Sequence, residues 1–130
     1  MNIISTGYFK EMPHGKDNSP SIKEVIGKEQ KEYIDKIYEY LSSGIILVTS
    51  PGVATDVIKP DVGEIGTISA MTDGIWLWPS DLAYYVKKYG VKLPEEFIET
   101  MRNNNWSINL KLDDIDFDTL TIDGVSPFES

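Results

Sequence analysis

The stretch from Thr72 to Met101 most restricts how this chain folds. It holds Trp76 and Trp78, two of the three tryptophans, and Tyr84, Tyr85 and Tyr89, three of the seven tyrosines. Asp73-Gly74 is a turn signal, because glycine takes positive φ without a Cβ clash. Ile75-Trp76-Leu77-Trp78 is aromatic or branched throughout, which suits a strand covered on both faces. Alternation puts Ile75 and Leu77 on one face and Trp76 and Trp78 on the other. Pro79 cannot donate to a ladder and ends that strand. Ser80 fits a helix N-cap, with Asp81 in the first turn. Leu82, Tyr85, Val86 and Tyr89 then recur at helical spacing, and Gly90 suits the stop. Leu93-Pro94-Glu95-Glu96 reads as a second helix start, with proline at the first helical position. Phe97, Ile98 and Met101 supply its inner face. Large aromatic side chains bury about 150–250 Å² each, so this segment reads as the hydrophobic anchor of a small domain.

The flanking segments supply the remaining layers. Asn2 to Phe9 admits a short first strand, and Lys10 to Pro20 is a loop rich in proline, glycine and turn formers. Ser21-Ile22-Lys23-Glu24 matches a capping box opening a short helix that Gly27 ends. Lys28 to Ser42 predicts a helix whose apolar stripe is Tyr33, Ile34, Ile37, Tyr38 and Leu41, with Gly44 as its stop. Ile45 to Val48 predicts a buried strand, Ser50-Pro51-Gly52 a turn, and Val53 to Ile58 a second strand. Glu64 to Met71 predicts a third, with Ile65, Ile68 and Met71 inward. Short turns between such strands favour antiparallel pairing. Ile108 to Leu112 alternates like an edge strand. The expected fold is therefore α+β: a single domain over 1–130, mainly antiparallel sheet packed by about three helices. Residues 113–130 form an acidic C-terminal segment, either an edge strand or a tail.

Charge narrows the partners. The chain has 12 Lys and Arg against 21 Asp and Glu, a net charge of −9, so nucleic acid and anionic membrane surfaces repel it and a basic protein attracts it. No cysteine is present, which removes disulfides, thiol catalysis and thiolate metal sites. The apolar runs fall well short of the ~20 residues a membrane span needs, and the N-terminus lacks a basic-then-apolar leader. A soluble, cytoplasmic protein is the expectation.

Candidate chemistry is sparse. Asp114, Asp116 and Asp118 have the spacing of the first ligands of an EF-hand, but Thr119 and Val125 stand where that loop needs glycine and a bidentate acid. His14 is the one histidine and lies in a loop between Pro13 and Gly15, a poor mount for a general base. Asp73 with Asp81, or Glu95 with Glu96, are paired carboxylates, yet each fits a turn or first-turn helix role. No glycine loop of the phosphate-binding kind is present. The expectation is no catalysis, no cofactor and no metal.

Two segments carry a resemblance: Thr72-Asp-Gly-Ile-Trp-Leu-Trp-Pro-Ser-Asp-Leu-Ala-Tyr-Tyr-Val86 and Lys88-Tyr-Gly-Val-Lys-Leu-Pro-Glu-Glu-Phe97. Together they resemble a stretch of small acidic bacterial proteins, some of which look like immunity proteins of polymorphic or contact-dependent toxin systems. The similarity is sharpest from Asp73 to Met101, weaker from Tyr8 to Asp56, and covers under half the chain. It implies a protein that binds a cognate toxin domain and blocks it. No contact residue is carried over from it. Charge alone nominates Asp113, Asp114, Asp116 and Asp118 as the partner-binding surface, with Asp123 beside them, since no Lys or Arg follows Lys111. The alternative is an enzyme or small-molecule binder using an aromatic cleft near Trp76, Trp78 and Tyr85.

Overall fold

The computed structural model describes residues 1–13, 15 and 18–127, so His14 and Glu129 lie outside the described residues. In chain order the elements are β1 (Asn2–Ser5), α1 (Lys31–Ser42), β2 (Ile45–Thr55), β3 (Glu64–Thr72), β4 (Trp76–Pro79), α2 (Leu82–Tyr89), α3 (Glu95–Asn103) and β5 (Thr121–Ile122). The strands form one sheet in the order β2-β3-β4-β1-β5. The long ladders, β2 with β3 and β3 with β4, are antiparallel, while β1 joins β4 and β5 through two short parallel ladders. This is the expected α+β domain of three α-helices on a mainly antiparallel sheet.

The Asp73-Gly74 turn forms as the local chemistry dictates. The Asp73 carboxylate accepts from the amides of Ile75 at 2.9 Å and Trp76 at 2.7 Å, and Gly74 takes φ 97°. β4 then divides two cores. Trp78 faces the helices and packs with Ile37, Tyr40 and Leu41 of α1, Leu82, Tyr85 and Val86 of α2, and Phe97 and Met101 of α3. Its indole N–H donates to the Leu41 carbonyl at 3.2 Å. Leu77 faces the other way, into a smaller cluster with Ile3, Ile115 and Leu120. Both faces of the strand are covered, as its lack of polar residues requires. α1 ends at Ser42 with Ser43 as its C-cap, and glycine at 44 answers a tertiary demand: a Cβ there would come within 2.5 Å of the Trp78 ring.

Several local expectations give way to tertiary contacts. Ser50-Pro51-Gly52 is not a turn, and 53–58 is not a separate strand. β2 runs through to Thr55, and its register jumps from Ser50↔Ile68 to Val53↔Thr67. Proline and glycine are tolerated there because β2 is an edge strand, where a missing N–H costs no ladder bond. Ser80 does not cap α2; its hydroxyl donates to the Thr67 carbonyl at 3.0 Å and accepts from the Ser69 amide at 2.9 Å, leaving Asp81 as the N-cap. Pro94 is likewise the N-cap residue of α3 rather than its first residue. Residues 22–24 form only a 3₁₀ turn; Ser21 is its N-cap, accepting from the Lys23 amide at 3.2 Å, while the Glu11 carboxylate takes the Ile22 amide. α1 starts at Lys31, three residues late, because Gly27 and Glu29 donate their amides to the carbonyls of Tyr89 and Gly90. Ile108 to Leu112 forms no strand: Asn105 and Trp106 turn left-handed, Trp106 stacks on Tyr33, and Leu110 crosses the turn at Gly74.

Candidate functional site

The C-terminal segment alternates acid and hydrocarbon. Asp113 and Asp114 lie in a 3₁₀ turn over Leu112–Asp114. Ile115 and Leu120 are buried and Phe117 half-buried against the smaller core, whereas Asp113, Asp114, Asp116 and Asp118 are all exposed. Buried Ile115 and half-buried Phe117 thus anchor the chain and leave carboxylates standing outward on either side of each. Two of those acids also shape the backbone. The Asp114 carboxylate accepts the Lys111 amide at 2.9 Å, and that of Asp116 accepts the Asp118 amide at 3.0 Å. Asp123 does more structural work: it adopts φ 52° and accepts from the Ser5 amide at 2.9 Å and from the Ser5 hydroxyl, pinning β1 to the chain after β5.

Beside this acidic ridge lies a groove that sequence reasoning did not find. It has a volume of about 740 Å³ and runs between the β2–β4 face and the returning C-terminal segment. Leu47, Ala70, Leu77, Phe117, Leu120 and Ile122 are among its lining residues, and Asp118 is the ionisable side chain at its wall. One signal pointed here: Ile115, Phe117, Leu120 and Ile122 make the acidic end too apolar for a solvated tail. What they pack against, Leu47 and Leu77, is remote in the sequence.

The aromatic residues of the alternative reading lie elsewhere, Trp78 and Tyr85 buried and Trp76 half-buried. Trp78 and Tyr85 are 0 % exposed. The Tyr85 hydroxyl donates to the Thr55 carbonyl at 3.1 Å and accepts from the Val57 amide at 3.0 Å. Burial, ahead of the nearby Asp81 and Asp56 charges, pushes it up to about 12. Trp76 stacks on Phe97 at 5.1 Å, and its indole N–H donates to the Thr100 hydroxyl at 2.9 Å. These rings face core atoms and satisfied partners.

The carboxylates considered as acid–base pairs also have structural duties. Asp73 holds the β3–β4 turn and accepts from the Tyr40 hydroxyl at 2.6 Å; that hydroxyl in turn accepts from the Asn104 amide at 3.0 Å. Glu95 pairs with Lys92 at 2.8 Å. Among the described residues the most perturbed carboxylate is Asp56, which the sequence did not single out. Its Oδ1 accepts from the amides of Ile58 and Lys59, each at 2.8 Å, and its Oδ2 from the hydroxyls of Tyr84 at 2.7 Å and Tyr89 at 2.5 Å. Burial alone would raise its pKa, but the combined donors outweigh it and bring the group to about 2. Asp56 therefore stays ionised and ties the end of β2 to α2, a locking role rather than a proton-transfer role.

Among the described residues no group of three or more His, Cys, Asp or Glu is placed to hold a metal ion, and no helix is long and apolar enough to cross a membrane. Comparison with protein-family models, with curated proteins and with solved structures gives no match.

Proposed function

We propose that this protein is a non-catalytic, cytoplasmic inhibitor of the immunity type, which neutralises a cognate basic toxin domain. The observation that carries the reading is the exposed row Asp113, Asp114, Asp116 and Asp118 bordering an apolar groove, on a chain of net charge −9. Carboxylates in that position compete for the surface a basic nuclease offers to phosphates. Complementary charge steers encounter and raises the on-rate, and desolvated apolar contact beside it slows release. The resemblance of the tryptophan segment to small acidic bacterial proteins, some of which look like immunity proteins, points the same way.

The test is growth rescue. Co-expression with candidate basic toxin domains should find one whose toxicity the protein suppresses, and changing Asp113, Asp114, Asp116 and Asp118 together to Asn should abolish that rescue while leaving the fold intact. Rescue that survives the fourfold change removes this surface from the account. A second reading, a small-molecule binder, draws on the groove, whose volume falls within the usual ligand-site range of about 300–1,000 Å³. A groove that takes up small apolar ligands in a protein that rescues no toxin favours that reading.

A further inference from the structure

Among the described residues β2 is a sheet edge along its whole length, since β3 is its neighbour in the sheet order and β2 stands at the end of that order. Its eleven residues, Ile45–Thr55, carry no charged side chain. Unpaired edge N–H and C=O groups template the addition of another strand, and proteins usually blunt them with charge, short length or bulges. The opposite edge obeys that rule: β5 is two residues long and is followed by the Ile122↔Val125 bridge. β2 carries a one-residue bulge at Leu47 and a wider interruption at Pro51-Gly52, so the uncharged segment from Ile45 to Ser50 is blunted only by the Leu47 bulge.

That segment is also the wall of the groove. Between Ile46↔Met71 and Val48↔Ala70 the register shifts, so Leu47 is an extra residue on the β2 side. Such a bulge re-aims adjacent side chains, and Leu47 and Val48 both line the groove. Ile46 and Val48 remain 53 % and 59 % exposed. Backbone valence, exposed hydrocarbon and an open groove therefore coincide over about six residues, a length of roughly 20 Å of strand.

We propose that β2 from Ile45 to Ser50 receives an extended segment of a basic protein partner as an added strand. The partner's alternate side chains on the groove side meet Leu47 and Val48 at its rim, and a lysine or arginine reaches toward Asp118. This rests on the protein-binding reading above and gives it a mode. Main-chain hydrogen bonds supply sequence-independent affinity in strand addition, and side-chain pockets supply the choice of partner. Charge selects the occupant: a second copy would oppose −9 with −9 and one Asp118 with another, whereas a basic segment is drawn in.

The test uses an acetylated, amidated peptide, Lys-Thr-Val-Thr-Val-Thr, whose lysine and two valines share one face of an extended strand, titrated into the ¹⁵N-labelled protein. Two kinds of control accompany it: the same peptide N-methylated at alternate amides, and a version with Glu for Lys. The expected result is saturable binding, with the largest amide changes over 45–50 and 117–122. Both alternate sets are N-methylated in separate peptides; the set whose amides face β2 should bind at least about tenfold more weakly, as the loss of its ladder bonds implies, and the other set should not. Val48→Lys, at an already exposed position, should keep the thermal midpoint and weaken the basic peptide about tenfold. Strand addition is overturned by equal binding of the two N-methylated peptides, by changes confined to 113–118, or by no saturable change at millimolar peptide. Dimerisation of the free protein through β2, seen by light scattering, overturns it as well. If a basic toxin domain binds through the acids while the β2 amides stay unprotected, the strand mode fails and the immunity reading stands. If the peptide binds at β2 and no toxin domain is neutralised, the immunity reading fails instead.

Discussion

Asp56→Asn isolates the buried lock between β2 and α2. The Asp56 side chain is 0 % exposed, yet it lies shallow, beneath Tyr84, Tyr89 and a Lys88 ammonium 3.8 Å away whose own side chain is 37 % exposed. Moving a carboxyl from its ordinary 3.8 down to about 2 corresponds to at most about 2.4 kcal/mol. Solvent just beyond that thin cover screens part of this, so about 1–2 kcal/mol is the expected contribution. The folded-state pKa is depressed, so the stabilisation is fully present above pH 3.8 and is lost as pH falls through about 2. Urea unfolding of the wild type and of Asp56→Asn, run in parallel from pH 7 down to pH 2, reads the difference directly. The variant should be less stable by about 1–2 kcal/mol at pH 7, and the two should converge toward pH 2. A gap that stays constant over the whole range would show that the site depends on shape rather than charge, and would refute the reasoning.

Two further outcomes follow from the main core. Gly44→Ala places a methyl 2.5 Å from the Trp78 ring and 3.3 Å from the Met71 Cβ. Such overpacking costs about 1–3 kcal/mol, which a lowered urea midpoint would report. Tyr40→Phe removes the hydroxyl donor from an Asp73 that is only 7 % exposed, and also removes the acceptor for Asn104. A loss of about 1–3 kcal/mol is expected, against almost none if solvent replaces the hydroxyl.

Much of the fold was legible because local and tertiary demands agree at particular residues. Trp76-Leu77-Trp78 alternates between two cores, and its hydrophobic content on both faces said as much. Asp73-Gly74 makes its own turn through its own carboxylate. Where the reading failed, one residue type served two purposes. Pro51-Gly52 punctuates a turn or bulges an edge strand, and which of these occurs depends on β3 lying alongside. Ser80 could cap a helix or cross-link β3, and the nearby Ser69 amide decided it. The alternation from Ile108 to Leu112 has strand period, but the left-handed pair Asn105 and Trp106 steers it across the Gly74 turn. The acids of the candidate surface were visible in composition. The groove beside them was not, because Leu47 and Phe117 meet only through the closing of the sheet. Asp56 was likewise silent: its tyrosine partners lie two strands and a helix start away in the chain.

The most direct test of the account is the affinity of the basic toxin domain for the wild type and for the variant with Asn at 113, 114, 116 and 118, measured as on- and off-rates across salt. The account expects the variant to associate about tenfold or more slowly near 50 mM salt and the two to converge by about 500 mM, where charges farther apart than a few ångströms are screened. Equal on-rates with equal salt dependence would contradict it.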